Sequence, residues 1–228
     1  MVTCYILCGL GALALAMFLI KRDEKGSPIA LILKTVTSIF FMLTALIALS
    51  QNEDAQKYSY FIIAGLLFGL IGDIALDLKF VYPQDDALYT YSGMTSFSLG
   101  HVFYLTALIF YFGFNVWALV AAVVIAAAVL CVTKFAMKFD YGKYIWITAI
   151  YSLLLMYFMC QSVYTVITSF SLSTLYLAIG GVMFALSDAV LSMEYFGGKN
   201  SKALIAVNHI TYYLAQYAIA LSILYFAV

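Results

Sequence analysis

The sequence predicts an all-α polytopic membrane protein of about eight transmembrane helices, folded as one domain over residues 1–228. Three observations carry that reading. Hydrophobic residues make up 66% of the chain and charged residues only 10%. A soluble domain is nearer half apolar, and this much apolar surface cannot be hidden in one small core, so the solvent is lipid. Apolar runs long enough to cross about 30 Å of hydrocarbon recur along the whole chain. The basic residues gather in alternate connections between those runs.

Taken in order, the first run, Val2 to Ile20, has no basic stretch ahead of it and reads as a mature span and not a cleaved signal. The second, Pro28 to Ser50, opens on a proline, which costs little where the N–H has no intrahelical partner. The third, Tyr58 to Leu78, and the fourth, Tyr91 to Phe112, flank the longest expected loop, which holds Pro83. The remaining four are Val116 to Met137, Tyr144 to Thr168, Leu172 to Phe196 and Lys202 to Phe226. Many of the 19 tyrosines fall near span ends, where a ring with one wet edge is favoured. The four cysteines, Cys4, Cys8, Cys131 and Cys160, read as small apolar packing residues.

Lys21, Arg22 and Lys25 join the first two spans, and Lys79 follows the third. Lys134, Lys138 and Lys143 flank the turn after the fifth, and Lys199 and Lys202 follow the seventh. The opposite side carries only Lys57. The positive-inside rule puts the loops after spans one, three, five and seven in the cytoplasm and both termini outside. Zero net charge leaves no basic excess to attract nucleic acid.

The halves resemble one another. Gly72-Asp73-Ile74-Ala75-Leu76 ends span three, and Ser187-Asp188-Ala189-Val190-Leu191 stands at the matching depth in span seven. Span four carries Gly100-His101-Val102-Phe103-Tyr104, and span eight Asn208-His209-Ile210-Thr211-Tyr212. A small-Asp element and a His-x-x-Tyr element thus recur four spans later, which predicts a parallel four-plus-four repeat about an axis along the membrane normal.

Six ionisable residues lie inside spans: Lys34, Asp73, Asp77, His101, Asp188 and His209. Charge at mid-membrane is costly, so such groups face the bundle interior and find partners. Counted in helical turns, Lys34, Asp73, His101, Asp188 and His209 sit at a common depth, about two turns from the cytoplasmic ends of their spans. Tyr104, Tyr151, Tyr212, Tyr213 and Gln216 share that stratum or lie slightly deeper. This alignment predicts one polar chamber opening toward the cytoplasmic leaflet. Asp77, one turn nearer the interface, reads as a solvated end. Lys34 either pairs with an aspartate or snorkels to the interface. Either histidine alone reads as an interhelical tie, and Gly65, Gly69 and Gly72 as sites of close helix packing.

Asp73 and Asp188 read as a working pair. In such a pair one carboxyl donates a proton while the other activates water. That suits cleavage of an ether or acetal-like bond through an oxocarbenium-like state, and equally a proton-coupled transporter of a small solute or lipid. Zinc hydrolysis lacks a helical H-x-x-x-H pair. The G-x-G-D signature of intramembrane aspartyl proteases is broken by Leu70.

Lys34-Thr35, Gly72-Asp73, Gly100-His101 with Tyr104, Ser187-Asp188 and Thr211-Tyr212-Tyr213-Leu214-Ala215-Gln216 together resemble the YhhN family of membrane proteins, across most of the chain. The resemblance implies a lysoplasmalogenase-like activity, hydrolysing the vinyl-ether bond of a lysoplasmalogen to a fatty aldehyde and a glycerophospho-head group. It implies Asp73 and Asp188 as the acid/base pair and Lys34 as the head-group site. His101, Tyr104, Tyr151, His209, Tyr212, Tyr213 and Gln216 would be orienting residues. The expected partners are a lysophospholipid, water and the surrounding membrane lipids, with no cofactor or metal.

Overall fold

A computed structural model describes residues 1–22, 27–199 and 201–227. Among these residues the chain forms eight long α-helices and no strand: α1 (Val2–Lys21), α2 (Pro28–Ser50), α3 (Gln56–Val81), α4 (Asp86–Phe112), α5 (Val116–Cys131), α6 (Ile145–Thr168), α7 (Leu172–Tyr195) and α8 (Lys202–Ser222). Pro28 stands at the first helical position of α2. Asn115 caps α5 by accepting from the Ala118 amide, and Ser171 and Thr174 cap α7 reciprocally. α4 stops at Gly113, whose φ of 87° an L side chain rarely adopts. After Cys131, α5 continues as a single π-helical turn, Val132–Ala136.

One expectation is corrected here. Pro83 does not sit in a long loop. α3 and α4 both run past their apolar segments, and only the short 3₁₀ turn Pro83–Asp85 separates them. Proline at its start and Asp85 and Asp86 around the first turn of α4 suit a helix N-terminus. Seven of the eight helices are long and apolar enough to cross a membrane. The eighth, α8, is about 31 Å long but more polar. It lies against α7, α2, α1 and α3, so Asn208, His209, Tyr212, Tyr213 and Gln216 are buried in protein and not in lipid.

α3 packs along α4 and α7 along α8, α1 along α2 and α5 along α6. α4 meets α6 as α8 meets α2. Glycines set the closest approaches, as expected for α3: a Cβ at Gly72 would stand 2.7 Å from the Phe97 ring, and one at Gly100 would stand 3.0 Å from the Gly65 carbonyl oxygen.

The two ends of the bundle differ in chemistry. At one end the connections after α3, α5 and α7 meet, beside Arg22 at the end of α1. The Asp140 amide donates to the Phe196 carbonyl at 2.9 Å, the Tyr91 hydroxyl to the Lys143 carbonyl at 2.7 Å and the Tyr144 hydroxyl to Asp86 at 3.1 Å. This end carries the basic residues and is called the basic end below. Lys25, read from sequence as one of them, lies outside the described residues. At the far end the Asn52 amide donates to the carbonyls of Ile223 and Phe226 at 2.9 and 2.7 Å, and Gln161 donates to Gly113 at 2.9 Å. Tyr58 there stacks on Phe226 and bonds to Ser222.

Candidate functional site

The polar residues of the spans converge on a cavity of about 330 Å³ near the basic end. Asp73 and Asp188 both line it, together with Lys34, Arg22, Asp77 and His209. Residues of α2 through α8 line it, and consecutive helices run in opposite directions, which is how residues far apart in sequence reach one level.

Lys34, in the second turn of α2, is buried between two carboxylates of α3. Its Nζ lies 2.9 Å from Asp77 Oδ1 and 3.5 Å from Asp73 Oδ1. Of the two readings open for Lys34, pairing holds and snorkelling does not. Asp77 is correspondingly not a solvated end. It is 5% exposed and also accepts from Arg22 Nη1 at 3.2 Å. One helical turn separates Asp73 and Asp77 on the same face of α3, so a single ammonium reaches both. Arg22 was read from sequence only as an orienting charge. It reaches a third acid, Glu194 of α7, at 3.7 Å and lies over the Phe18 and Phe80 rings.

Asp73 turns its second oxygen to two hydroxyls. Ser38 donates to Oδ2 at 2.6 Å and Tyr212 at 2.8 Å. Behind Tyr212 the bonds continue in one direction: Gln216 Nε2 donates to the Tyr212 hydroxyl at 2.8 Å, and Tyr104 donates to Gln216 Oε1 at 3.1 Å. The Tyr213 hydroxyl donates to the Lys34 carbonyl at 3.2 Å and lies 3.0 Å from Ser38 Oγ. Asp73, on α3, is thus held from α2 and α8 at once, with Tyr104 of α4 behind Gln216. Ser38 was missed in the sequence. Its spacing of four from Lys34 puts it on the same face, and that spacing was the available signal.

Asp188 has different surroundings. Its hydrogen-bond partner among the described residues is the Tyr151 hydroxyl of α6. No lysine or arginine lies within ion-pair distance of it among the described residues. The α7 part of the wall carries the apolar Phe184, Leu186 and Leu191 together with Ser187 and Ser192. The helix that carries it is locked to α8 by a reciprocal clasp. Asn208 Nδ2 donates to the Ser187 carbonyl and hydroxyl oxygen, both at 2.9 Å, and Ser187 Oγ donates to the Asn208 carbonyl at 3.1 Å.

The histidines behave alike. His101 and His209 each direct Nδ1 to the carbonyl four residues back, Phe97 at 2.7 Å and Ile205 at 2.8 Å. A carbonyl accepts, so Nδ1 carries the proton and Nε2 the lone pair. His209 lines the cavity. His101 lies deeper, edge-on to Tyr151, Phe158 and Phe184, and its Nε2 has no hydrogen-bond partner among the described residues. Its ring reaches toward Asp188 through the Tyr151 ring and toward Asp73 through Tyr104, without bonding to either carboxylate among the described residues.

A model of the YhhN family matches residues 29–223. The chain belongs to the YhhN family. Every residue of this YhhN site except Arg22 falls inside the matched stretch. No curated protein and no solved structure gives a match.

Proposed function

We propose that this YhhN-family protein is an intramembrane lipid hydrolase of lysoplasmalogenase type, cleaving the vinyl-ether bond of a lysoplasmalogen. One observation carries the reading: two carboxyls in unlike surroundings, Asp73 buried and Asp188 partly buried, share a single cavity whose charged groups lie near the basic end. A charged-headed, single-chained lipid has the same polarity profile.

The roles follow from the surroundings. Asp188, with a phenol as partner and an apolar wall, acts as the proton donor to the vinyl carbon. The resulting oxocarbenium ion draws electrons from the ether oxygen. Asp73, fixed beside the Lys34 ammonium, accepts a proton from the attacking water, so hydroxide adds to the cationic carbon. The hemiacetal then collapses: Asp73 passes its proton to the glycerol oxygen as the C–O bond to glycerol breaks, the hemiacetal hydroxyl gives its proton to the Asp188 carboxylate, and a fatty aldehyde leaves with the glycerophospho-head group, both acids back in their starting states. Lys34 and Arg22 are the cations at the polar end, where a head-group phosphate would sit. Tyr212, Gln216 and Tyr104 set the direction of the Asp73 hydrogen bonds, with Tyr213 behind Ser38. The basic end, with the chamber near it, faces the cytoplasm by the charge rule. Carboxylate catalysis of this kind calls for no cofactor.

The test is mass spectrometry of purified protein in liposomes with a lysoplasmalogen. Fatty aldehyde should form, and Asp73→Asn and Asp188→Asn should each cut the rate by about 10²-fold or more, the usual share of a general acid or base. Undiminished release in both variants would refute the paired-carboxyl chemistry. Movement of solute across the bilayer without product would point to transport.

A further inference from the structure

The cavity has two sides that reach the surface, and they differ. At the basic end Arg22 straps α1 to Asp77 on α3 and Glu194 on α7, with its guanidinium 4.7 Å from the centre of the Phe80 ring. Beside it the Lys79 ammonium lies 3.2 Å over the Tyr195 ring. Charged pairs and aromatic faces cover that end.

The side toward α5 is built otherwise. Among the described residues the one helix on which α5 packs extensively is α6, through a narrow line of Ala118, Ala122 and Ala126. α5 and α7 flank α6 without extended contact between them. The cavity reaches into this gap, where Ile125 and Val129 of α5 face Val182 and Leu186 of α7 across Met156 and Met159 of α6. Val129 is 41% exposed and Leu186 49%. Residues that line a cavity and also face the surroundings mark its opening, and around a transmembrane bundle those surroundings are hydrocarbon. The α5 jamb is also the less constrained one. Its α-helix gives way to the π-turn at Val132–Ala136, followed by Lys138 at φ 57°, and π-turns in helices are frequent at functional sites.

We propose that the cavity is loaded sideways from the bilayer through the cleft between α5 and α7, and that its ligand is a single-chain amphiphile with an anionic head. The chain lies against Met156 and Met159, whose unbranched side chains adapt to a mobile apolar tail. The head stops at Arg22 and Lys34. A cavity of about 330 Å³ is near the small end of ligand sites, which suits one chain and not two. The route rests on the hydrolase reading only for the identity of the lipid.

The experiment uses the full-length protein in nanodiscs with a lysophospholipid carrying a diazirine in the middle of its chain. Adducts are mapped by peptide mass spectrometry. They are expected on the α5 segment at 125–130 and the α7 segment at 182–186. Val129→Trp and Leu186→Trp change outward-facing positions and place an indole in the cleft. Each should cut those adducts about tenfold, since the indole fills the apolar space the chain would occupy. Adducts concentrated on α1, or a cleft pattern unchanged by both tryptophans, would overturn the proposal. The wild-type map decides alone if either variant fails to fold. Cleft adducts without aldehyde from the wild type would support the route and sink the hydrolase reading. Aldehyde release at the wild-type rate from both folded tryptophan variants would sink the route and leave the hydrolase.

Discussion

Lys34→Met isolates the value of the buried charges. The ammonium sits 2.9 Å from Asp77 and 3.5 Å from Asp73 and is 5% exposed. Methionine keeps the length and apolar stem but removes the charge, leaving two acids one turn apart. Removing one partner of a buried pair costs about 3–5 kcal/mol. Asp77 retains Arg22, and Asp73 retains Ser38 and Tyr212, so the lower part of that range applies. At roughly 2–4 °C per kcal/mol for a chain of this size, the melting temperature in detergent should fall by about 10 °C. Lys57→Met, at an exposed position, serves as the comparison and should change stability by no more than about 0.5 kcal/mol. The double variant Lys34→Met with Asp77→Asn removes charges of both signs, and the cycle should return a coupling of about 1–3 kcal/mol. A Lys34→Met melt matching the Lys57→Met melt, or additive losses in the double variant, would refute the ion-pair argument.

Three further outcomes follow. Tyr151→Phe deletes the hydroxyl that Asp188 accepts from; kcat for aldehyde release should fall at least about tenfold, with a stability loss of about 1–3 kcal/mol for the carboxyl left without that donor, and an unaltered kcat would contradict the role of Tyr151. Gly72→Leu drives side-chain atoms into the Phe97 ring, which a Cβ alone would approach to 2.7 Å; overpacking should cost about 1–3 kcal/mol, read as a lower melting temperature, and a wild-type melt would show that α3 and α4 separate freely. Asn208→Leu leaves Ser187 without its amide donor; a loss of about 1–3 kcal/mol is expected, measured by thermal unfolding, together with slower turnover from displaced Asp188.

The helix count and the convergence of Asp73 and Asp188 on one level were legible in the sequence, because apolar runs mark the helices and helical rise places residues along them. Seven helices met the apolar requirement as read, whereas α8 is polar for a reason visible only in three dimensions: its neighbours shield it. Depth near an interface was the weak point. Asp77 lies one turn beyond Asp73, and sequence spacing does not say whether that turn emerges into water or is covered by Arg22 and Glu194. Arg22 itself looked like one loop charge among several, since a contact from α1 to α3 and α7 leaves no local pattern. The Pro83 connection was read as long because apolar runs understate helix length where polar ends continue the helix. For Lys34, sequence allowed two partners, lipid interface or carboxylate, and only the position of α3 decided between them.

The Ser187–Asn208 clasp has a consequence for how the chain tolerates change. It fixes α7 against α8 one residue before Asp188 on one helix and one residue before His209 on the other. The registration of the two helices is therefore keyed inside the hydrocarbon and not by the span of chain that joins them. Insertions or deletions at residues 197–201 should be absorbed as slack outside the membrane, leaving the acid and the imidazole where they are. A single-residue insertion in α7 between the clasp and the basic end would instead rotate the segment beyond it by about 100° and take Glu194 away from Arg22. One placed between the clasp and the far end would rotate half a helix by about 100°, turning its buried face to lipid.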